Sequence, residues 1–189
     1  MTQQNITGVI LAGGESKRMG SDKGLVVYKK IPLIEYSIKL LESVCNEIII
    51  STNELSHYRQ YGFQIVDDEY KNSGPIGGIH ASLKNSVNYL NLILACDMPH
   101  ITRQVIDALI SHSTKDRITV PTLRGRREPL CGLYPRVTYF QLEHWLVAGR
   151  FKMQDFLQHA GTNYVSMDGF MDEPENIFKN MNLPADLKY

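Results

Sequence analysis

The sequence predicts an α/β fold: one three-layer αβα domain around a mainly parallel, Rossmann-like sheet. Three observations point there. Short apolar, β-branched runs alternate with segments of helical period. Several of those runs are apolar almost without a break, as in strands buried on both faces. The length of 189 residues is that of about one domain, and no repeat, low-complexity tract or linker divides it.

Taken in order, residues 6–11 read as a first strand. Residues 32–44 read as a helix. Pro32 suits its first position, and Leu33, Leu40, Leu41 and Val44 form its apolar stripe. Residues 47–51, EIIIS, and 63–66 are the next strands, followed by a short helix at 78–86. Residues 90–95, LNLILA, form a fourth strand of nearly unbroken apolar character. The helix at 102–113 has Thr102 as its N-cap, with Val105, Ile106, Leu109 and Ile110 on one face. After 118–120 the alternation loosens. A strand at 130–134, helices at 137–147 and 153–159, and an edge strand at 163–167 complete the pattern.

Composition narrows the function classes. Apolar residues make up 43% and charged residues 21%, and the net charge is zero. A nonspecific nucleic-acid binder usually carries a basic excess, so no nucleic-acid partner is expected. Cys45, Cys96 and Cys131 are widely spaced and form no CxxC pair, which fits a reducing compartment. The start MTQQNITG lacks a signal-peptide pattern, and no apolar run approaches the ~18 residues of a membrane span. A cytoplasmic location is the expectation. The six histidines, His57, His80, His100, His112, His144 and His159, show no metal-binding spacing.

In parallel sheets ligands bind beyond the carboxyl ends of the strands. The segments 12–24, 51–54, 67–78 and 96–101 lie there, and they concentrate the chain's glycines and charges. The first reads AGGESKRMGSDKG. Gly13 and Gly14 allow backbone N–H groups to approach an anion, and Arg18 and Lys23 can meet phosphate oxygens. The spacing is that of neither a P-loop, a GxGxxG turn nor a GxSxG elbow. A phosphate loop and a solvated turn are the two readings that composition leaves.

The whole string from Leu11 to Gly24, LAGGxSxRMGxDKG, resembles the signature loop of nucleotidyltransferases that move an NMP from an NTP onto a phosphate. DDEYKNSGPIGGI (67–79), ACDMP (95–99) and FKNMNLPADL (178–187) resemble the later segments of the molybdenum cofactor guanylyltransferases, the MobA type. The resemblance covers most of the chain and is weakest between about 113 and 172. It implies a fold of the nucleotide-diphospho-sugar transferase type. It also implies transfer of GMP from MgGTP to the terminal phosphate of the molybdenum-molybdopterin cofactor, with pyrophosphate released and Mg²⁺ as the cofactor.

Carried over residue by residue, the resemblance makes Asp97 the metal ligand and Arg18, Lys23 and Asp97 the catalytic set. Leu11, Ala12, Gly13, Gly14, Lys23, Ser51, Asp68, Gly78 and Asp97 would bind GTP, and Asn180 and Asn182 would lie near the acceptor. A carboxylate after a strand suits Mg²⁺, but it also suits a turn. Asp68 suits guanine or a ribose diol, with Asp67 as its alternative. The pair Asn180 and Asn182 also reads as a turn before Pro184. The cluster of Arg124, Arg126 and Arg127 reads as an acceptor surface or a solvated loop. Trp145, with Phe140 and Leu146, reads as helix packing. The expected partners are GTP, the molybdopterin cofactor, proteins that deliver it and molybdoenzymes that take the product. The alternatives are a cytidylyl or sugar-1-phosphate nucleotidyltransferase and a noncatalytic nucleotide-binding protein of the same fold.

Overall fold

The computed structural model describes residues 4–13, 22–169, 176–182 and 186. The first strand, β1 (Gln4–Leu11), lies at the centre. It pairs in parallel with β4 (Cys45–Ser51) on one side and β6 (Leu90–Ala95) on the other. β5 (Gln64–Val66) adds in parallel beyond β4 and closes one edge. On the far side β9 (Cys131–Pro135) pairs antiparallel with β6 and β7 (Thr119–Leu123) pairs antiparallel with β9. β10 (Asn163–Ser166) runs parallel to β7 and forms the other edge. β8 (Arg126–Arg127) returns against β7 as a hairpin arm. The sheet is therefore parallel through its middle and mixed at one flank, and the edge placement of residues 163–166 agrees with the sequence reading.

Side chains alternate across the pleat as period-2 geometry requires. Ile10, Ile50, Leu92 and Leu94 face one buried cluster, while Val9, Ile49 and Ile93 face the other. The first cluster is covered by α1 (Leu33–Glu42) and α4 (Arg103–Ser111), with Tyr58 from the short α2 (Leu55–Tyr58). The second is covered by α3 (Pro75–Asn85), α5 (Thr138–Val147) and α6 (Met153–His159). Trp145 belongs to that packing, its ring 5.7 Å from Phe156 at 73°.

α3 begins three residues before the sequence reading placed it. Pro75 occupies its first turn after Gly74, whose φ is 68°. The helix passes through both Gly77 and Gly78, where neighbouring side chains press on it. A Cβ at Gly77 would lie 2.1 Å from Ser73 Oγ, and one at Gly78 would lie 2.6 Å from Ser51 Oγ. Pro32 stands just before α1 rather than inside it, and the Thr102 side chain makes no capping bond at α4. The hairpin of β2 (Val27–Tyr28) and β3 (Ile31–Pro32) carries no glycine signal, because Lys29 and Lys30 take the positive φ of its turn.

The register places the site. Leu11 pairs with Ser51 and with Ala95, and Ser51 pairs with Val66. Four parallel strands thus end along one line, and the segments starting at 12, 52, 67 and 96 leave the sheet side by side.

Candidate active site

Two groups of side chains sit at that edge, on either side of the end of β1. The first centres on Asp97, two residues beyond β6. It is 8% exposed. Cys96 N–H donates to Leu11 O at 3.2 Å and Met181 N–H donates to Asp97 O at 2.9 Å, so the turn is tied to β1 and to the C-terminal segment. Lys23 Nζ donates to Asp97 Oδ2 and to Asn182 Oδ1. Residues separated by more than 70 and more than 150 positions in the chain are thereby joined around one ammonium group. Asn180 Oδ1 is buried nearby in sequence and accepts no hydrogen bond. Asn182 N–H donates to Asp186 Oδ2 at 3.1 Å, and Lys179 Nζ lies 3.3 Å from Asp186 Oδ1.

A carboxylate and an amide carbonyl that already share one cation form a hard oxygen donor set. Among the described residues no three His, Cys, Asp or Glu side chains gather as a metal cage. A divalent ion that takes one or two carboxylates and completes its shell with phosphate and water fits this arrangement. The Cys96 thiol is buried, and burial with the neighbouring Asp97 charge pushes its pKa up, which makes it a poor nucleophile.

Lys23 opens a 3₁₀ turn, Lys23–Leu25, whose cap is Asp22. Asp22 Oδ1 accepts Gly24 N–H at 3.3 Å. Asp22 is also held by the Tyr58 hydroxyl, and its Oδ2 lies 3.2 Å from His57 Nδ1.

The second group lies toward α3. Ser51, at the end of β4, is 2% exposed. The Cβ that Gly78 lacks would touch three atoms: Ser51 Oγ at 2.6 Å, Leu11 Cδ2 at 3.3 Å and Asp68 Oδ1 at 3.4 Å. Gly78 therefore brings a hydroxyl, a carboxylate and an apolar wall together. Burial raises the Asp68 pKa, and the Asn53 amide and Lys71 charge oppose that rise. Asn53 Nδ2 donates to Asp68 Oδ2 at 3.4 Å, while Asn53 Oδ1 accepts from Asp68 N–H at 3.4 Å and from Lys71 Nζ at 3.0 Å. Asp67 pairs instead with Lys71 at 3.2 Å on the exposed side. Between the two alternatives, Asp68 is the one turned toward Gly78.

The structure thus gathers Leu11, Ser51, Asp68 and Gly78 in one place and Lys23, Asp97 and Asn182 in another. Ala12, whose N–H donates to Ser51 O at 2.9 Å, and Gly13 lie between. Gly14 and Arg18 fall outside the described residues. The arginine cluster is partly engaged, by its own hairpin and by β10. Arg126 Nε lies 3.0 Å from the buried Glu128, and the Arg127 guanidinium stacks 4.8 Å over the Tyr164 ring. Asn53 and Tyr58 were not singled out in the sequence. Each is an ordinary polar or aromatic residue outside any motif, and only the contacts across the chain mark it.

Residues 8–164 match the model of the MobA-like NTP transferase domain. A protein named as a probable molybdenum cofactor guanylyltransferase of Pelotomaculum thermopropionicum is 33% identical over 96% of this chain and 89% of its own length. One of the same name from Natranaerobius thermophilus is 32% identical over 97% of this chain and 94% of its own. In backbone, the chain resembles the molybdopterin-guanine dinucleotide biosynthesis protein A of Archaeoglobus fulgidus with a TM-score of 0.78. That likeness covers 96% of this chain and 94% of the other at 23% identity, and it bears on the fold alone. Among the described residues no helix is long and apolar enough to cross a membrane.

Proposed function

The chain belongs to the MobA-like NTP transferase family, and we propose that it transfers GMP from GTP to the terminal phosphate of the molybdenum-molybdopterin cofactor, releasing pyrophosphate. The observation that carries this reading is the joining of Lys23, Asp97 and Asn182 beside the Leu11–Ser51–Asp68–Gly78 corner. One corner has the chemistry of a triphosphate and metal site, and the other that of a nucleoside site.

Asp68 and Ser51 take the guanine or its ribose, against the Leu11 side chain and the bare Cα of Gly78. Lys23 holds the triphosphate as a point charge, and Arg18 adds a fork from the same loop. Asp97 would hold Mg²⁺, with the amide oxygens of Asn180 and Asn182 as further donors, and a metal held there would supply neutralising charge to the phosphates.

An ionised acceptor phosphate is already a nucleophile. Its oxygen attacks the α-phosphorus of GTP, and the bond to the β-phosphate oxygen breaks as pyrophosphate leaves. No side chain has to carry the GMP unit covalently. This agrees with a site whose one thiol, Cys96, is buried and held protonated. Catalysis then rests on in-line placement and on stabilising charge. Molybdopterin-delivering proteins and molybdoenzymes are the protein partners this role requires, and the cytoplasm is the compartment that fits it.

The test is to incubate the protein with purified molybdopterin cofactor and an equimolar mixture of MgGTP and MgCTP and to weigh the product. A mass gain of one GMP unit with release of pyrophosphate is expected. Incorporation of CMP instead, or nucleotide binding without pyrophosphate–GTP exchange, would refute the guanylyl reading.

A further inference from the structure

We propose that Tyr58 is a positioning residue for Lys23, a buried clamp that fixes both stems of the phosphate loop. The proposal rests on the reading of Lys23 as a triphosphate ligand. Tyr58 lies far from the signature loop in sequence and is fully buried, at 0% exposure, against the described residues at the two ends of that loop. Its hydroxyl donates to Asp22 Oδ1. The same oxygen lies 3.5 Å from the carbonyl of Ala12. Ala12 and Asp22 are the residues through which the chain leaves β1 and comes back to the 3₁₀ turn. One phenol therefore touches both.

The contact extends to the residue after Lys23. A Cβ at Gly24 would stand 2.5 Å from the Tyr58 hydroxyl oxygen and 3.3 Å from its ring. Gly24 is glycine because the turn lies directly on the phenol. Its φ is not positive, so conformation does not demand it. Lys23 thus has its preceding neighbour hydrogen-bonded to Tyr58 and its following neighbour seated on Tyr58. Asp22 in turn caps the turn through Gly24 N–H at 3.3 Å. The Lys23 backbone is fixed on both sides, and its ammonium is aimed at Asp97 and Asn182.

A buried tyrosine often finds a partner for its hydroxyl merely to avoid an orphan donor. The two roles differ in what they change. A core tyrosine stripped of its hydroxyl loses stability and leaves ligand contacts alone. A clamp loses triphosphate affinity selectively.

The experiment measures dissociation constants of MgGTP and guanosine for wild type, Tyr58→Phe, Asp22→Ala and the double variant, with thermal melts of each. Tyr58→Phe keeps the ring and its packing. It is expected to weaken MgGTP about tenfold, the scale of one lost hydrogen bond to a charged group, with guanosine within twofold. The double variant is expected to be no worse than Asp22→Ala, because the hydroxyl acts through Asp22. An unchanged ratio of MgGTP to guanosine affinity in folded Tyr58→Phe, or losses that multiply in the double variant, would overturn the proposal. If Tyr58→Phe does not fold, Gly24→Ala decides in its place, since it lifts the turn off an intact phenol and should give the same selective loss. The same pair of measurements with MgCTP and cytidine separates the two levels. Tighter MgCTP binding by wild type would sink the guanylyl reading and still leave the clamp to be judged by its triphosphate ratio.

Discussion

Gly78→Ala separates the energetics of the fold from those of the nucleoside corner. A glycine inside α3 costs about 0.5–1 kcal/mol relative to alanine, so the substitution first stabilises the helix. Against this, the new methyl would arrive 2.6 Å from Ser51 Oγ, which must rotate away. Forcing a side chain off its rotamer costs about 0.5–1.5 kcal/mol. The two effects nearly cancel, and the melting temperature should move by no more than about 4 °C for a domain of this size. Ligand binding has no such compensation. The methyl also lies 3.3 Å from Leu11 Cδ2 and 3.4 Å from Asp68 Oδ1, so it occupies the space in front of all three groups. Losing one neutral and one charged hydrogen bond to the nucleoside costs about 2–3 kcal/mol, or about 30–150-fold in Kd. Calorimetric titration with MgGTP and with guanosine checks this, and both ligands should weaken alike because they share the nucleoside. If the variant melts within those limits yet binds MgGTP within threefold of wild type, Ser51 and Asp68 do not face the nucleotide.

Three further outcomes are expected. Lys23→Met removes the ammonium that meets Asp97 and Asn182, so it should weaken MgGTP by tenfold or more and guanosine by less than twofold; equal losses would place Lys23 on the nucleoside. Asp97→Asn keeps the size of the side chain and removes the charge proposed to hold Mg²⁺, so turnover should fall on the order of 10²–10³-fold and the Mg²⁺-dependent part of GTP thermal stabilisation should vanish; turnover within a few-fold of wild type would exclude Asp97 as the main metal ligand. His80 is 0% exposed, and neither ring nitrogen has a hydrogen-bond partner. Burial lowers its pKa, with Lys84 acting the same way and Glu69 and Glu143 opposing; the Tyr70 and Tyr139 rings complete its surroundings. The unfolded chain therefore binds a proton that the native state refuses, and His80 contributes a loss of stability as pH falls below about 6.5. Urea unfolding at pH 7.5 and 5.5 should show a smaller acid loss in His80→Leu than in wild type, and identical losses would clear His80 of the effect.

What the sequence made legible was whatever repeats with a period or sits in a contiguous string. The central strands could be placed because Val9–Leu11, Ile48–Ile50 and Leu92–Leu94 are buried on both faces and so lack polar residues. Asp97 and Lys23 stood in short motifs at strand ends, and the register of β1 against β4 and β6 brings those ends together. The hairpin at Lys29 and Lys30 was not legible, because its backbone takes positive φ without a glycine to announce it. The helix at 78–86 was legible but its first turn was not, because Pro75 and Gly77 carry no apolar period and the two glycines permit close approach inside it. Asn53 and Tyr58 carried no signal, since their importance comes from partners 15 and 36 positions away.

The two corners of the candidate site are built from opposite faces of the sheet, which suits the proposed ligand with its two unlike ends. Leu11 packs into the cluster under α3, and the nucleoside corner is completed by Gly78 on that helix. Ala12, the next residue, turns to the other cluster, where Tyr58 and Cys96 also lie. The pleat of β1 thus sends consecutive side chains to the two sides. On the α3 side the glycine at 78 makes room for a hydroxyl and a half-buried carboxylate. On the other side a buried phenol beneath the loop stems sets a lysine against an aspartate. A nucleoside and a triphosphate need different surroundings, one apolar with a few placed polar atoms and one charged and wet. A central strand with an arm of the site on each face supplies both, and the substitutions that test them read out separately for the same reason.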